Sequence, residues 1–119
     1  MQRQLWEIYV PSHWNRGAEI PVEWHEAWDA KVREISGGLT LLHPVKGQWL
    51  FNGGCIHEEV IPCRVLATRR ELDKILAITL EHYPDQHSIL AYRVSDEVVL
   101  RYRHEDRSTA AGEEPDGNG

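Results

Sequence analysis

The chain lacks the marks of several large protein classes. No apolar run approaches the roughly 20 residues needed to cross a bilayer, so no membrane is expected as partner. The opening MQRQLWEIYV passes at once into alternation, without the apolar stretch and small-residue cleavage site of a secretion signal, and the expected address is cytoplasmic. The two cysteines, Cys55 and Cys63, are not a Cys-x-x-Cys pair and are read as reduced thiols, Cys63 as a packing residue between Ile61 and Val65. There is no Gly-x-Ser-x-Gly, no His-Glu-x-x-His and no phosphate-cradling glycine loop, which argues against a triad hydrolase, a nucleotide triphosphatase or a kinase. A basic stripe is missing too, and nucleic acid is therefore not expected as a partner.

The net charge of -6 divides unevenly. Residues 104–119 hold five acids against one base, and the remaining 103 residues hold 14 acids and 12 bases, so the body is nearly neutral. With no aromatic residue and no apolar periodicity, 104–119 is read as a disordered acidic tail behind a single domain at 1–103. Seven histidines are many for this length, yet their spacings match no metal signature. Neither a metal nor another cofactor is expected.

What is present is organised around residues 37–66, GGLTLLHPVKGQWLFNGGCIHEEVIPCRVL. This reads as a helix stop, a strand bent at Pro44 and Gly47, a turn at Asn52-Gly53-Gly54, and a return strand from about Ile56 to Ala67. If Asn52 and Cys55 close the loop, Trp49 faces Glu58 and Gln48 faces Glu59. Before it, QLWEIYV alternates as a half-buried strand, and Pro11 to Gly17 is a loop carrying His13, Trp14 and Arg16. A helix from Pro21 places Trp24, Trp28, Val32 and Ile35 on one stripe and ends at Gly37-Gly38. After the hairpin, Thr68 and Glu71 form a capping box for a helix that Pro84 stops. Ser88 to Val94 and Val98 to Tyr102 read as two further strands.

The order strand, helix, strand, strand, helix, strand is that of an α+β, ferredoxin-like βαββαβ fold: an antiparallel sheet with two helices on one face, and a fifth strand if the last hairpin forms. Two helices cover one face only, so a homodimer is expected to cover the other.

The chain resembles a small bacterial domain family of unknown function. Gly38-Leu39-Thr40-Leu41-Leu42, Gly47-Gln48-Trp49, a glutamate after the turn (Glu58 or Glu59), Trp24 or Trp28, and Gln86-His87-Ser88-Ile89-Leu90 carry the resemblance, over roughly residues 5–102. It implies the fold and no activity. A Tyr-Phe-Gly turn frequent in the family is Tyr9-Val10-Pro11-Ser12 here.

Candidate chemistry gathers at the hairpin. A carboxylate beside an imidazole moves protons near neutral pH, so Glu59 and His57 are the candidate general bases, with Arg64 or Gln48 holding a developing oxyanion. Trp49, Gln48, Glu58 and Trp14 are the candidate ligand-binding residues. The same groups also make ordinary cross-strand polar pairs. The expected function is a homodimeric binding or interaction module for a small molecule or a protein; the alternative is a cofactor-free isomerase or small oxygenase. An inhibitor with an acidic docking tail is compatible with the composition. Whether the protein is an enzyme is left open at this point.

Overall fold

Alternation in QLWEIYV produces the first strand, β1 (Gln4–Pro11), in the computed structural model, which describes residues 2–103. The acidic tail expected at 104–119 lies outside the described residues. Trp6, Ile8 and Val10 point inward, and their partners across the ladder are Val65, Cys63 and Ile61 of β4 (Gly54–Ala67). Cys63 is fully buried, and burial pushes its thiol up to about 12, with the Asp29 charge adding to the shift, so it packs rather than reacts.

Helix α1 (Val22–Ser36) starts after Pro21 and stops at Gly37, whose φ of 92° is the left-handed cap that glycine adopts without penalty. Trp28 and Val32 are buried against the sheet as expected, but Trp24 is 39% exposed. The first turn of α1 lies beside other aromatic side chains, so Trp24 packs edge-on against Trp14 and His82, with ring centroids 5.0 and 5.1 Å away. Helix α2 (Arg69–His82) carries the expected capping box: Glu71 N–H donates to Thr68 Oγ1 at 3.1 Å, and Thr68 N–H donates to Glu71 Oε1 at 2.9 Å.

The strand expected to bend at Pro44 is instead two strands, β2 (Thr40–Leu41) and β3 (Val45–Phe51), both paired with β4. Pro44, which has no N–H to give a ladder, lies in the gap. The turn closes at Phe51 and Gly54 rather than at Asn52 and Cys55, with Asn52 at φ 52° and Gly53 at φ 80° as a two-residue hairpin loop requires. Trp49 therefore faces Ile56, Gln48 faces His57 and Gly47 faces Glu58. The shift from the expected register is two residues, which leaves every side chain on its expected face.

The last strand, β5 (Ala91–Ser95), starts later than Ser88. Val98 to Tyr102 is not a strand and lies exposed; the Ser95 hydroxyl accepts from the Glu97 N–H and closes a local turn instead. The five strands form one antiparallel sheet in the order β2-β4-β1-β5, with β3 extending beside β4. This is the ferredoxin-like arrangement. Both helices send buried residues into one cluster with Trp6, Ile8, Val10 and Val65, so they share a face.

At 14 residues, β4 runs about 46 Å. It outreaches β1, whose ladder ends at Pro11 opposite Val60. Beyond that point, among the described residues, only β3 accompanies it, and the two form a ribbon-like arm. Among the described residues, no helix is long and apolar enough to cross a membrane.

Candidate functional site

Strand parity sorts the arm's side chains. Lys46, Gln48, His57 and Glu59 fall on the side of the sheet that carries the helices; Val45, Trp49, Phe51, Ile56 and Glu58 fall on the other. Where the arm leaves the body, the loop after β1 comes alongside β4 and encloses a cleft of about 560 Å³. The loop contributes His13, Trp14 and Asn15, the arm contributes Lys46, Gln48, His57, Glu58 and Glu59, and Gln86 comes from the segment after α2.

Hydrogen bonds fix the cleft's base. Ser12 N–H and Ser12 Oγ both reach the Glu59 carbonyl oxygen, at 3.3 and 2.9 Å, and the hydroxyl lies 2.7 Å from His13 Nδ1. A serine hydroxyl has one proton. Spent on the Glu59 carbonyl, it leaves Oγ to accept from His13 Nδ1–H, which leaves Nε2 of the neutral ring as the acceptor. The Glu59 carboxylate stands 3.7 Å from His13 Nδ1 and 3.5 Å from Ser12 Oγ. Opposite them, Asn15 is clamped on Asp85: its backbone N–H donates to Asp85 Oδ2 at 2.7 Å, and its Nδ2 donates to the Asp85 carbonyl at 2.6 Å.

Trp14 is supported from behind. Its ring meets Trp24 edge-on at 5.0 Å and Tyr83 at 6.4 Å. Tyr83 is fully buried, and its hydroxyl lies 2.7 Å from His25 Nδ1. Burial first, then the nearby Asp29 and Cys63, pushes the Tyr83 phenol up; burial, with the neighbouring His82, pushes His25 down. Burial thus favours the neutral form of both rings.

The residues singled out in the sequence divide between two places. Glu59, His57, Gln48, Glu58 and Trp14 line the cleft. Trp49 stands on the far face of the arm, where its Nε1–H donates to Glu58 Oε2 at 2.9 Å, a diagonal cross-strand contact. Arg64 is not in the cleft. It is five residues from Glu59, hence on the opposite face, and its Nε donates to Glu7 Oε1 at 2.7 Å. Glu7, almost fully buried, also accepts from the Tyr92 hydroxyl. Burial raises the affinity of Glu7 for its proton, but the bonds from Tyr92 and Arg64 and the guanidinium charge outweigh it, and the carboxyl is held below its usual range.

Sequence reasoning missed Asn15 and Lys46 as cleft residues and Ser12 as the residue that ties the loop to Glu59, and noted Gln86 only as part of a motif. Their signal was weak: a loop rich in turn formers shows that it turns, not which strand it meets. Among the described residues, no three His, Cys, Asp or Glu side chains gather as a metal site would need.

No family model matches the chain, and no curated protein matches it. Solved structures do. The periplasmic divalent cation tolerance protein CutA from Archaeoglobus fulgidus is similar at a TM-score of 0.60 and 11% identity, over 83% of this chain and 88% of that one. The divalent cation tolerance protein Cut A1 from Thermus thermophilus is similar at 0.57 and 12%, over 89% and 92%. A phage SAM lyase in complex with S-methyl-5'-thioadenosine is similar at 0.62 and 11%, over 84% and 86%. At such identities the likeness is one of fold: a small α+β domain of the ferredoxin-like, CutA-like kind.

Proposed function

We propose that the protein is a homodimeric binding module, working in the cytoplasm, whose ligand is a small polar molecule with a planar ring. One observation carries the ligand class: an indole (Trp14), a carboxylate (Glu59) and amide side chains (Gln48, Asn15, Gln86) converge on a single cleft. Its volume of about 560 Å³ falls in the range of roughly 300–1,000 Å³ typical of small-molecule sites. Trp14 stacks on the ring, and Gln48 and Glu59 fix polar groups of the ligand, while Trp49 and Glu58 pair on the far face of the arm. Dimerisation draws support from the exposed apolar side chains on the arm, with Leu50 86%, Phe51 54% and Ile56 44% exposed. The cytoplasm suits two free thiols, one of them exposed.

Native mass spectrometry of the untagged protein tests this reading. The expected result is a multimer carrying a small organic adduct that disappears in Trp14→Ala while the multimer persists. A multimer with no adduct, which also fails to take up S-methyl-5'-thioadenosine on titration, overturns the small-molecule reading and turns the search to a protein partner. Uptake of a divalent cation alone, unaffected by Trp14→Ala, overturns it in favour of the chemistry named for the CutA proteins.

A second reading, an enzyme that removes a proton with Glu59 or His57 as base, draws support from the hydrogen-bonded Ser12, His13 and Glu59 group and from the lyase among the similar folds. Here turnover of a bound nucleoside thioether or sulfonium would be lost in Glu59→Gln while binding remained. Binding without turnover in the unmutated protein sinks it.

A further inference from the structure

Two features of the chain are incomplete in complementary ways. On the side away from β3, β4 pairs with β1 only from Val60 onward, and the Glu59 carbonyl is taken by Ser12. Residues Gly54 to Glu58 therefore present an open strand edge, with no strand partner there among the described residues. An apolar two-stranded ribbon with open edges is marginal in water and templates further pairing. Val98 to Tyr102, VVLRY, has the opposite deficiency. Its composition is that of a strand, yet it makes no backbone hydrogen bond among the described residues, and Val98, Val99, Leu100 and Tyr102 are exposed.

We propose that the Val98–Tyr102 segment of one copy adds as a strand to the Gly54–Glu58 edge of a second copy. The faces match. Along β4, Ile56 and Glu58 lie on the apolar side of the arm with Trp49 and Phe51, and Cys55 and His57 lie on the cleft side with Glu59. Along VVLRY, Val98, Leu100 and Tyr102 share one side, and Val99 and Arg101 share the other. The pairing that lays Leu100 and Tyr102 on the apolar face brings Arg101 to the cleft side, beside the Glu59 carboxylate. Charge and hydrophobicity thus select the same orientation. The added strand covers the arm and supplies a basic group from the neighbouring copy to the wall of the ligand cleft. If the exchange is reciprocal it closes a dimer; head-to-tail, it closes a ring of three or more.

This rests on the multimer reading and refines it, and the test separates the two. Leu100→Pro removes a backbone donor from an exposed segment that makes no backbone hydrogen bond among the described residues, so it leaves the folded monomer intact. The expected result is that the unmutated protein sediments as a multimer, and that Leu100→Pro sediments as a monomer with an unchanged circular dichroism melt of its helices. An unmutated protein that is monomeric, with the segment folded back on its own β5, overturns both proposals of assembly. A Leu100→Pro protein that remains a multimer overturns only the strand addition. A charge exchange sharpens the result: Arg101→Glu is expected to weaken the multimer at least tenfold at low salt, and Arg101→Glu with Glu59→Arg to restore it. If the double variant is no tighter than the single one, Arg101 does not meet the cleft face.

Discussion

The two halves of β4 share one strand and one alternation but live in different solvents. From Val60 to Ala67 the inward positions Cys63, Val65 and Ala67 are fully or nearly fully buried under both helices, and the outward face carries a satisfied ion pair, Arg64 with Glu7. From Gly54 to Glu59 every residue is exposed, and the polar groups of the cleft side face open water. The inner half shows what alternation does when a core receives it. The outer half keeps the same pattern without a core, and such a pattern on a bare ribbon points to contacts beyond the single chain.

The largest test of that contrast is truncation. Trp28→Ala, beneath the inner half, removes a fully buried indole whose Nε1–H donates to Thr79 Oγ1, and is expected to cost about 3–5 kcal/mol in urea unfolding. Glu59→Gln in the outer half is expected to stay within about 0.5 kcal/mol. If the two costs came out alike, the arm would be part of the folding core. Next in size is Glu7→Gln, which leaves Arg64 facing a neutral amide and is expected to destabilise by about 1–2 kcal/mol, discounted because the guanidinium is half-exposed.

Asp29, on α1 above the inner half, acts in the other direction. Its Oδ1 is buried without a hydrogen-bond partner, and burial holds its carboxyl above the usual range, only partly offset by Arg33. Asp29→Asn is therefore expected to stabilise the protein at neutral pH by about 1 kcal/mol. The smallest effect is one of pH. His25 has its affinity for a proton lowered by burial, so the unfolded chain takes up that proton first. Stability from this group is present above about pH 6.5 and is lost as pH falls through the lowered folded value. His25→Gln is expected to flatten the fall in denaturation midpoint between roughly pH 7 and pH 5.5.

How much of this was legible in the sequence follows the same division. The inner half, the capping box at Thr68, the Gly37 stop and the βαββαβ order could all be read, because each rests on local chemistry or on a repeating apolar pattern. The turn register was missed by two residues, since Asn52-Gly53 and Gly53-Gly54 are both chemically suited to a tight loop. Trp24 was placed in the core because helical spacing says which side a residue faces, not where the sheet beneath it ends. Arg64 was grouped with Glu59 on proximity in sequence, although an odd separation along a strand puts two side chains on opposite faces. The cleft itself was half visible: Trp14 and most of the strand residues were chosen, and Ser12, Asn15 and Lys46 were not, because nothing in Ser12 or Asn15 announces a contact with Glu59 or Asp85.

The edge-on seat of Trp14 against Trp24 has a practical consequence. One indole lines the cleft while its neighbour lies outside it, and a third, Trp28, is sealed in the core with its N–H already bonded. An occupant arriving beside Trp14 changes the polarity around that ring and leaves Trp28 untouched. The protein thus carries its own optical gauge, with a steady background emitter and a responsive one, and filling of the cleft can be followed by ultraviolet fluorescence without any attached label.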